Sequence, residues 1–281
     1  NISRRLLLFF LIVILVISGL PQRSHAIAYD PESSYQNLPA RFWEDKQPDI
    51  GFYINASSRY ILETVTAPEM GSTYGEWSVM DLLRGMYTEY DYINYIPTNY
   101  FEDYLTRIEA YVLEKNGNLS RSKSTEWARL ILALSALGYD IRDVSGHDFI
   151  DALSKSYKFS YNQGINGPIW EIISMNTGAY EFYEDASNPD VNTFGKMLDY
   201  ILSEEITQSD GTVGGWALSG KTPDPDITGM ALQGLAPYYL DSVKYSNSGA
   251  TTSYSEFQSA VERAIKVLEE IQLPNGGFKS I

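Results

Sequence analysis

The chain has 281 residues, with 36 acidic and 21 basic side chains and a formal net charge of −15 at pH 7. This surplus of negative charge disfavours nucleic acid and anionic membrane surfaces as partners. The sequence contains no cysteine, and one of its two histidines, His25, falls in a segment predicted below to be removed. Thiolate nucleophiles, cysteine–zinc sites, thioesters and multi-histidine metal sites are therefore excluded, and we predict no metal site.

The N-terminal segment 1–26 has the pattern of a secretory signal peptide. Arg4 and Arg5 precede an apolar run over residues 6–17, and Ser24-His25-Ala26 forms a small-x-small cleavage site. A retained membrane anchor is the alternative, but a spanning helix needs about 20 apolar residues and this run is shorter. We therefore predict cleavage after Ala26, a secreted or cell-surface location, and no further contact with a membrane.

The rest of the chain is predicted to be helical after a short lead-in. Residues 27–53 contain three prolines among polar residues and are predicted to form a linker. Two kinds of helix then alternate. One is apolar nearly all round, which indicates burial, and it covers residues 127–137 and 230–236. The other is amphipathic, with apolar residues three or four apart, and it covers residues 100–113, 194–202 and 257–268.

The starts of the buried helices resemble one another, which indicates an internal repeat. Glu76-Trp77 and Glu126-Trp127 begin two of them, and residues 164–170 and 214–228 carry the third and fourth. Residues 272–278 look like the entry to a fifth unit without its helix, so we expect the chain to be truncated at its C-terminus. The alternation predicts an all-α domain over residues 54–281, with inner helices starting near Trp77, Trp127, Ile165 and Asp226.

These motifs carry a resemblance to a known superfamily. The spacing Gln208-x5-Gly214-x-Trp216, followed by Asp224-x-Asp226-x-Thr228, resembles the repeat of the terpene cyclase and protein prenyltransferase superfamily, and residues 272–278 resemble a second copy. Residues 163–170 and 216–239 are similar to the prenyltransferase-like domains of bacterial cell-surface proteins related to the transcobalamin-like cobalamin carriers. The resemblance covers about residues 70–281.

The resemblance implies an α/α toroid of repeated helix hairpins, here an incomplete ring, in which inner helices surround a central cavity. It also implies cobalamin or another corrinoid as ligand, held between the toroid and a C-terminal β-domain that this sequence does not contain. The residues predicted to line the ligand-binding rim are Trp77, Trp127, Asn166, Trp170, Trp216 and Asp226. Fold alone does not decide function in this superfamily, because it includes both enzymes and carriers.

Asp224-Pro225-Asp226-Ile227-Thr228 is the sharpest candidate for catalysis. By resemblance to the Asp-x-Asp-Asp motif of class II terpene cyclases, Asp226 would protonate an alkene and Asp224 would support it. The fourth position is Ile227, so one supporting carboxylate is missing. Helix-start signals explain the same residues, with Asp224 as N-cap, Pro225 at the first helical position and Asp226 in the first turn.

Glu76, Glu126 and Glu171 lie beside tryptophans near inner helix starts. Paired carboxylates of this kind are typical of glycosidases, but a glutamate near a helix start also complements the helix dipole. We interpret the chain first as a binding module for a small-molecule ligand or a surface polymer rather than an enzyme. The alternatives are a class II cyclase-like isomerase that uses a buried Asp226, and a non-catalytic surface spacer or adhesin.

Overall fold

The computed structural model describes residues 50–86, 91–185, 187–188, 190–274 and 276–278. The predicted signal peptide and residues 27–49 of the lead-in lie outside this range. Within it the regular elements are helices, and two isolated bridges, Val144–His147 and Thr207–Val213, are the extended pairings. The predicted all-α class is therefore confirmed. No helix in the described ranges is both long and apolar enough to cross a membrane.

The described residues fall into two compact units. The N-terminal unit comprises residues 50–118 and 132–147, and the C-terminal unit comprises residues 119–131 and 148–278. In chain order the helices are α1 (Ile50–Thr64), α2 (Trp77–Gly85), α3 (Tyr100–Glu114), α4 (Ser124–Ala136), α5 (Phe149–Ser154), α6 (Tyr157–Ser160), α7 (Asn166–Thr177), α8 (Phe194–Ser203), α9 (Pro225–Tyr239), α10 (Ser242–Asn247) and α11 (Tyr254–Ile271). Helix α1 begins inside the predicted lead-in, at Ile50.

The N-terminal unit has a core where α1 packs against α2 and a short 3-10 turn over Asp91–Tyr95. Leu62, Leu82 and Tyr92 are fully buried there. The Tyr92 hydroxyl donates a hydrogen bond of 2.6 Å to the Leu82 carbonyl, and the Tyr100 hydroxyl donates one of 2.6 Å to Val65. These bonds let large aromatic side chains enter the core without leaving a buried hydroxyl unpaired.

The C-terminal unit is built on two helices, α7 and α9, that pack directly on each other. Gly234 of α9 lies against Ile169, Ile172 and Ile173 of α7, since a Cβ placed at Gly234 would meet their atoms at 3.6–3.7 Å. Nearer the C-terminal ends, the Asn176 amide lies 3.3 Å from the Tyr238 hydroxyl. The later residue of α9 thus contacts the later residues of α7. The two helices are therefore parallel and begin at the same end.

Amphipathic helices cover this central pair. Helix α8 packs on α7, and α10 and α11 pack on α9. The apolar stripe of α11 is buried as its spacing predicts, and its members are Phe257, Ala260, Val261, Ala264, Val267 and Leu268. The sequence pattern of apolar helices alternating with amphipathic ones therefore corresponds, in this unit, to a central pair with helices packed against it.

Candidate functional site

Helix α9 begins with a conventional cap. The Asp224 carboxylate accepts hydrogen bonds from the backbone N–H groups of Asp226 (2.8 Å) and Ile227 (3.1 Å), and Pro225 occupies the first turn. Carboxylate capping of this kind satisfies N–H groups that have no partner inside the helix. The helix start alone therefore accounts for the placement of Asp224.

Asp226, the predicted catalytic acid, is exposed at this helix start. An acid that protonates an alkene must stay protonated, which requires burial in surroundings poor in water. An exposed carboxyl in the first turn of a helix lacks those surroundings. This position weighs against the acid role and suits contact with a ligand or with solvent.

Trp216 is fully buried, although its motif predicted a place at the rim. Its indole N–H donates to the Ile201 carbonyl at 2.7 Å. Its backbone N–H donates to the Thr228 hydroxyl at 2.9 Å, and that hydroxyl donates back to the Trp216 carbonyl at 3.0 Å. Gly215 has a φ of 75°, and a Cβ there would come within 2.8 Å of Pro223. The Gly-Gly-Trp motif thus anchors the loop before α9.

The other predicted rim tryptophans divide into two groups. Trp127 is 4% exposed and packs edge-on against Phe149, with the ring centroids 5.2 Å apart. Its indole N–H donates to the Ser120 carbonyl at 3.3 Å. Trp77 and Trp170 are only half-buried. Trp127 and Trp216 are therefore core residues, whereas Trp77 and Trp170 present part of their rings to solvent or to a ligand.

Each of the two central helices leaves one side incompletely covered. On α7 the half-buried positions include Asn166 and Trp170, and on α9 they include Gly229, Met230 and Gln233, following the exposed Asp226. Spacings of three, four and seven residues place these positions on one face of each helix. A Cβ added at Gly229 would meet no atom within 4 Å. We call these six residues the accessible strip.

The start of α4 meets the start of α7 near this strip. The Thr125 hydroxyl donates to the Gln163 side chain at 3.0 Å, and a Cβ at Gly167 would lie 3.0 Å from the Ser124 hydroxyl oxygen. Glu126, in the first turn of α4, is half-buried. The structure thus brings the starts of three helices, α4, α7 and α9, to the same part of the C-terminal unit.

In the N-terminal unit, α2 carries a comparable row. Trp77 and Arg84 are half-buried and Asp81 is exposed, at spacings of four and three residues. Desolvation by the surrounding protein raises the pKa of Asp81, and the nearby Arg84 guanidinium opposes that shift. Trp77, Asp81 and Arg84 thus form one accessible row on α2.

The three candidate glutamates differ sharply in their surroundings. Glu76 is 1% exposed, and its carboxyl oxygens accept from the Gly71 N–H at 2.9 and 3.2 Å. Glu126 is half-buried, and Glu171 is fully buried. Burial raises the pKa of Glu171 to about 8, while the hydroxyls of Ser160 and Ser124 partly oppose the shift. A glycosidase needs carboxyls that reach the substrate, and Glu171 has no accessible surface.

Comparisons of the chain with protein-family models, with curated proteins and with solved structures find no match. The superfamily resemblance therefore stays a prediction from sequence motifs. Across the described ranges, no group of three or more histidine, aspartate or glutamate side chains is placed to hold a metal ion. The accessible strip and the buried Glu171 are the two features that the fold builds from the predicted motifs.

Proposed function

We propose that this chain is a ligand-binding module, secreted or displayed at a cell surface, and that the accessible strip holds a small molecule. The observation that carries the proposal is the incomplete cover of α7 and α9. Most of the apolar residues of both helices are buried, as expected of helices that pack among other helices. Here one face of each helix stays accessible and carries aromatic and amide side chains. Such a face is typical of a binding surface.

The strip favours a ligand with an apolar body and polar edges. Trp170 offers an aromatic face and Met230 a polarisable thioether, both suited to a flat apolar ring system. Asn166 and Gln233 offer amides that both donate and accept hydrogen bonds, and Asp226 offers a carboxylate acceptor. A corrinoid such as cobalamin, which the motif resemblance implies, combines a macrocycle with amide side chains and is our concrete candidate.

We extend the proposal to the architecture. The parallel pair α7 and α9, with α8 and α11 packed on them, has the arrangement expected of two neighbouring repeats in an α/α toroid. In that arrangement the accessible strip would face the central cavity. A C-terminal β-domain, outside this sequence, would close the ligand from the other side.

The test is a ligand-dependent thermal shift on the purified chain. The panel contains cobalamin, cobinamide, haem, a prenyl diphosphate, squalene and several oligosaccharides. A molecule that binds only the folded state raises the melting temperature by mass action. We expect a saturable rise with the corrinoids that is lost in Trp170→Ala and Gln233→Ala and retained in Tyr60→Ala, an exposed aromatic of α1 used as the matched control.

The alternatives give different results in the same experiment. A corrinoid shift that persists in Asp226→Asn supports a carrier and contradicts the cyclase alternative. A shift with isoprenoids alone, followed by product formation that Asp226→Asn abolishes, would replace the carrier with a class II cyclase-like isomerase. A panel without any shift would favour the surface spacer.

A further inference from the structure

Glu171 lies inside the C-terminal unit, at a junction of several elements. It belongs to α7 and has no exposed surface. The Asn192 amide nitrogen, from the segment before α8, lies 3.3 Å from its Oε2 atom. Ser160 of α6 and Ser124 of α4 bring their hydroxyls to the same carboxyl. All of these neighbours are themselves buried.

Three side-chain atoms of this cluster, Glu171 Oε1, Ser124 Oγ and Asn192 Oδ1, are buried without a hydrogen-bond partner among the described residues. The two N–H bonds of the Asn192 amide face four acceptors, which are Leu153 O (2.7 Å), Ser160 Oγ (2.8 Å), Ser156 Oγ (2.9 Å) and Glu171 Oε2. The Ser156 hydroxyl donates to the Leu153 carbonyl at 2.6 Å.

The surroundings of the carboxyl favour one of the two protonation states of Glu171. An ionised carboxylate only accepts hydrogen bonds, whereas a protonated carboxyl also donates one. Ionisation would place negative charge on a carboxyl whose Oε1 atom is buried without a partner among the described residues. Protonation removes that buried charge.

Among the side chains that the structure describes, no charged group compensates an ionised Glu171. The helices that contact α7 carry charged side chains in the described residues, but none of them contributes to the pKa of Glu171. These side chains are Glu126 and Arg129 on α4, Lys196 and Asp199 on α8, and Asp226 on α9. Lys196 instead donates to the Val191 carbonyl, and Asp199 accepts from Thr251 and Thr252.

We propose that Glu171 is a proton-binding switch: the folded chain holds this carboxyl protonated at neutral pH, and loss of the proton in mildly alkaline solution loosens the junction of α6, α7 and the Asn192 segment. The switch is a property of the folded chain and does not depend on any ligand. It favours the folded C-terminal unit in acidic to neutral surroundings.

The direction of the pH dependence follows from linkage. Burial holds the pKa of Glu171 near 8 in the folded chain, against 4.5 for an ordinary glutamate. The stabilising contribution is therefore full below the unfolded value and is lost as pH rises through the folded one. Between the two values, each pH unit multiplies the unfolding equilibrium constant by about ten through this group alone.

Urea unfolding across this pH range tests the proposal in the wild type, Glu171→Gln and the control Glu269→Gln, which removes an exposed charge of α11. In the wild type and the control, we expect the unfolding equilibrium constant to rise about tenfold per pH unit relative to Glu171→Gln. The variant lacks this dependence because its amide replaces the protonated carboxyl. Equal pH dependence in all three proteins would overturn the proposal.

A measurement on the wild type alone covers the case in which Glu171→Gln does not fold. Carbon-13 NMR of labelled glutamate side chains follows each carboxyl through its titration. One glutamate that titrates near pH 8 supports the proposal. A spectrum in which every glutamate is already ionised at neutral pH would overturn it.

Discussion

The starts of α9 and α7 place an acid in opposite surroundings. At the start of α9, Asp226 stands in the first turn, exposed, beside the cap formed by Asp224. On α7, Glu171 stands one turn further in and is fully buried. The motif with the stronger resemblance to a catalytic sequence therefore forms a helix start, whereas the less conspicuous glutamate has the perturbed carboxyl.

The difference shows what a helix start provides that a helix interior does not. Free backbone N–H groups, the positive end of the helix dipole and water all stabilise an ionised acid in the first turn. One turn later the backbone N–H groups are used within the helix, and packing excludes water. A buried acid there must find a counter-charge or keep its proton.

The largest expected effect on stability is the difference between replacing Trp216, which precedes α9, and replacing Trp170, which lies in α7. Trp216→Ala removes a fully buried ring and its hydrogen bond to Ile201, and we expect it to lower the free energy of unfolding by about 3–5 kcal/mol. Trp170→Ala should cost less than half as much, because that ring is half-buried. Urea unfolding of both variants measures the difference, and equal losses would contradict the assignment of Trp216 to the core.

Glu171→Gln should have the next largest effect, and the sign should be stabilising. At pH 7 the folded chain bears the free-energy cost of keeping a proton on a carboxyl that would otherwise be ionised. With the folded pKa at about 8 and the ordinary value at 4.5, removing that cost should raise the free energy of unfolding by up to about 3 kcal/mol. Urea unfolding at pH 7 checks this, and a loss of stability would contradict a protonated Glu171.

Loss of the cap at α9 should have a moderate effect. Asp224→Ala removes the acceptor for two backbone N–H groups, so we expect the free energy of unfolding to fall by about 1 kcal/mol. Asp224→Asn keeps a capping oxygen and should lose only part of this. If Ala and Asn were equally tolerated in chemical denaturation, Asp224 would need a role other than capping.

Asp226→Asn should have the smallest effect on stability. The side chain is exposed, and its favourable interaction with the helix dipole contributes only a few tenths of a kcal/mol up to about 1 kcal/mol. Thermal unfolding at moderate ionic strength should therefore show a small decrease in melting temperature. A marked stabilisation by Asn would instead indicate that Asp226 lies in a desolvated site, as an acid catalyst requires.

Much of the fold could be predicted from the sequence because its helices have strong signals. The apolar and amphipathic periodicities predicted the segments of α3, α8 and α11, and α2 begins at Trp77 as its motif indicated. The N-cap at Asp224 was also predicted, because capping depends on residues close together in sequence. Such local rules determine where a helix begins with little help from the rest of the fold.

The sequence did not predict which side chains of the two central helices, α7 and α9, would be buried and which would be accessible. The polar residues of α7 do not fall on one side of the helix, so its pattern does not show which side stays accessible. Trp170 and Glu171 are neighbours, yet one is half-buried and the other fully buried. One signal did exist: Glu171 is the only charged residue of α7 and is flanked by Ile169, Ile172 and Ile173. The contacts that bury it come from Ser124, Ser160 and Asn192, which are distant in sequence.

The most direct measurement is the number of protons released when the chain unfolds near pH 7. Calorimetry in two buffers of different ionisation enthalpy gives this number for the wild type and for Glu171→Gln. If the folded chain keeps Glu171 protonated, the wild type should release about one proton more than the variant. Equal proton release from the two proteins would mean that Glu171 is already ionised in the fold, and would contradict the contrast between the two helix starts.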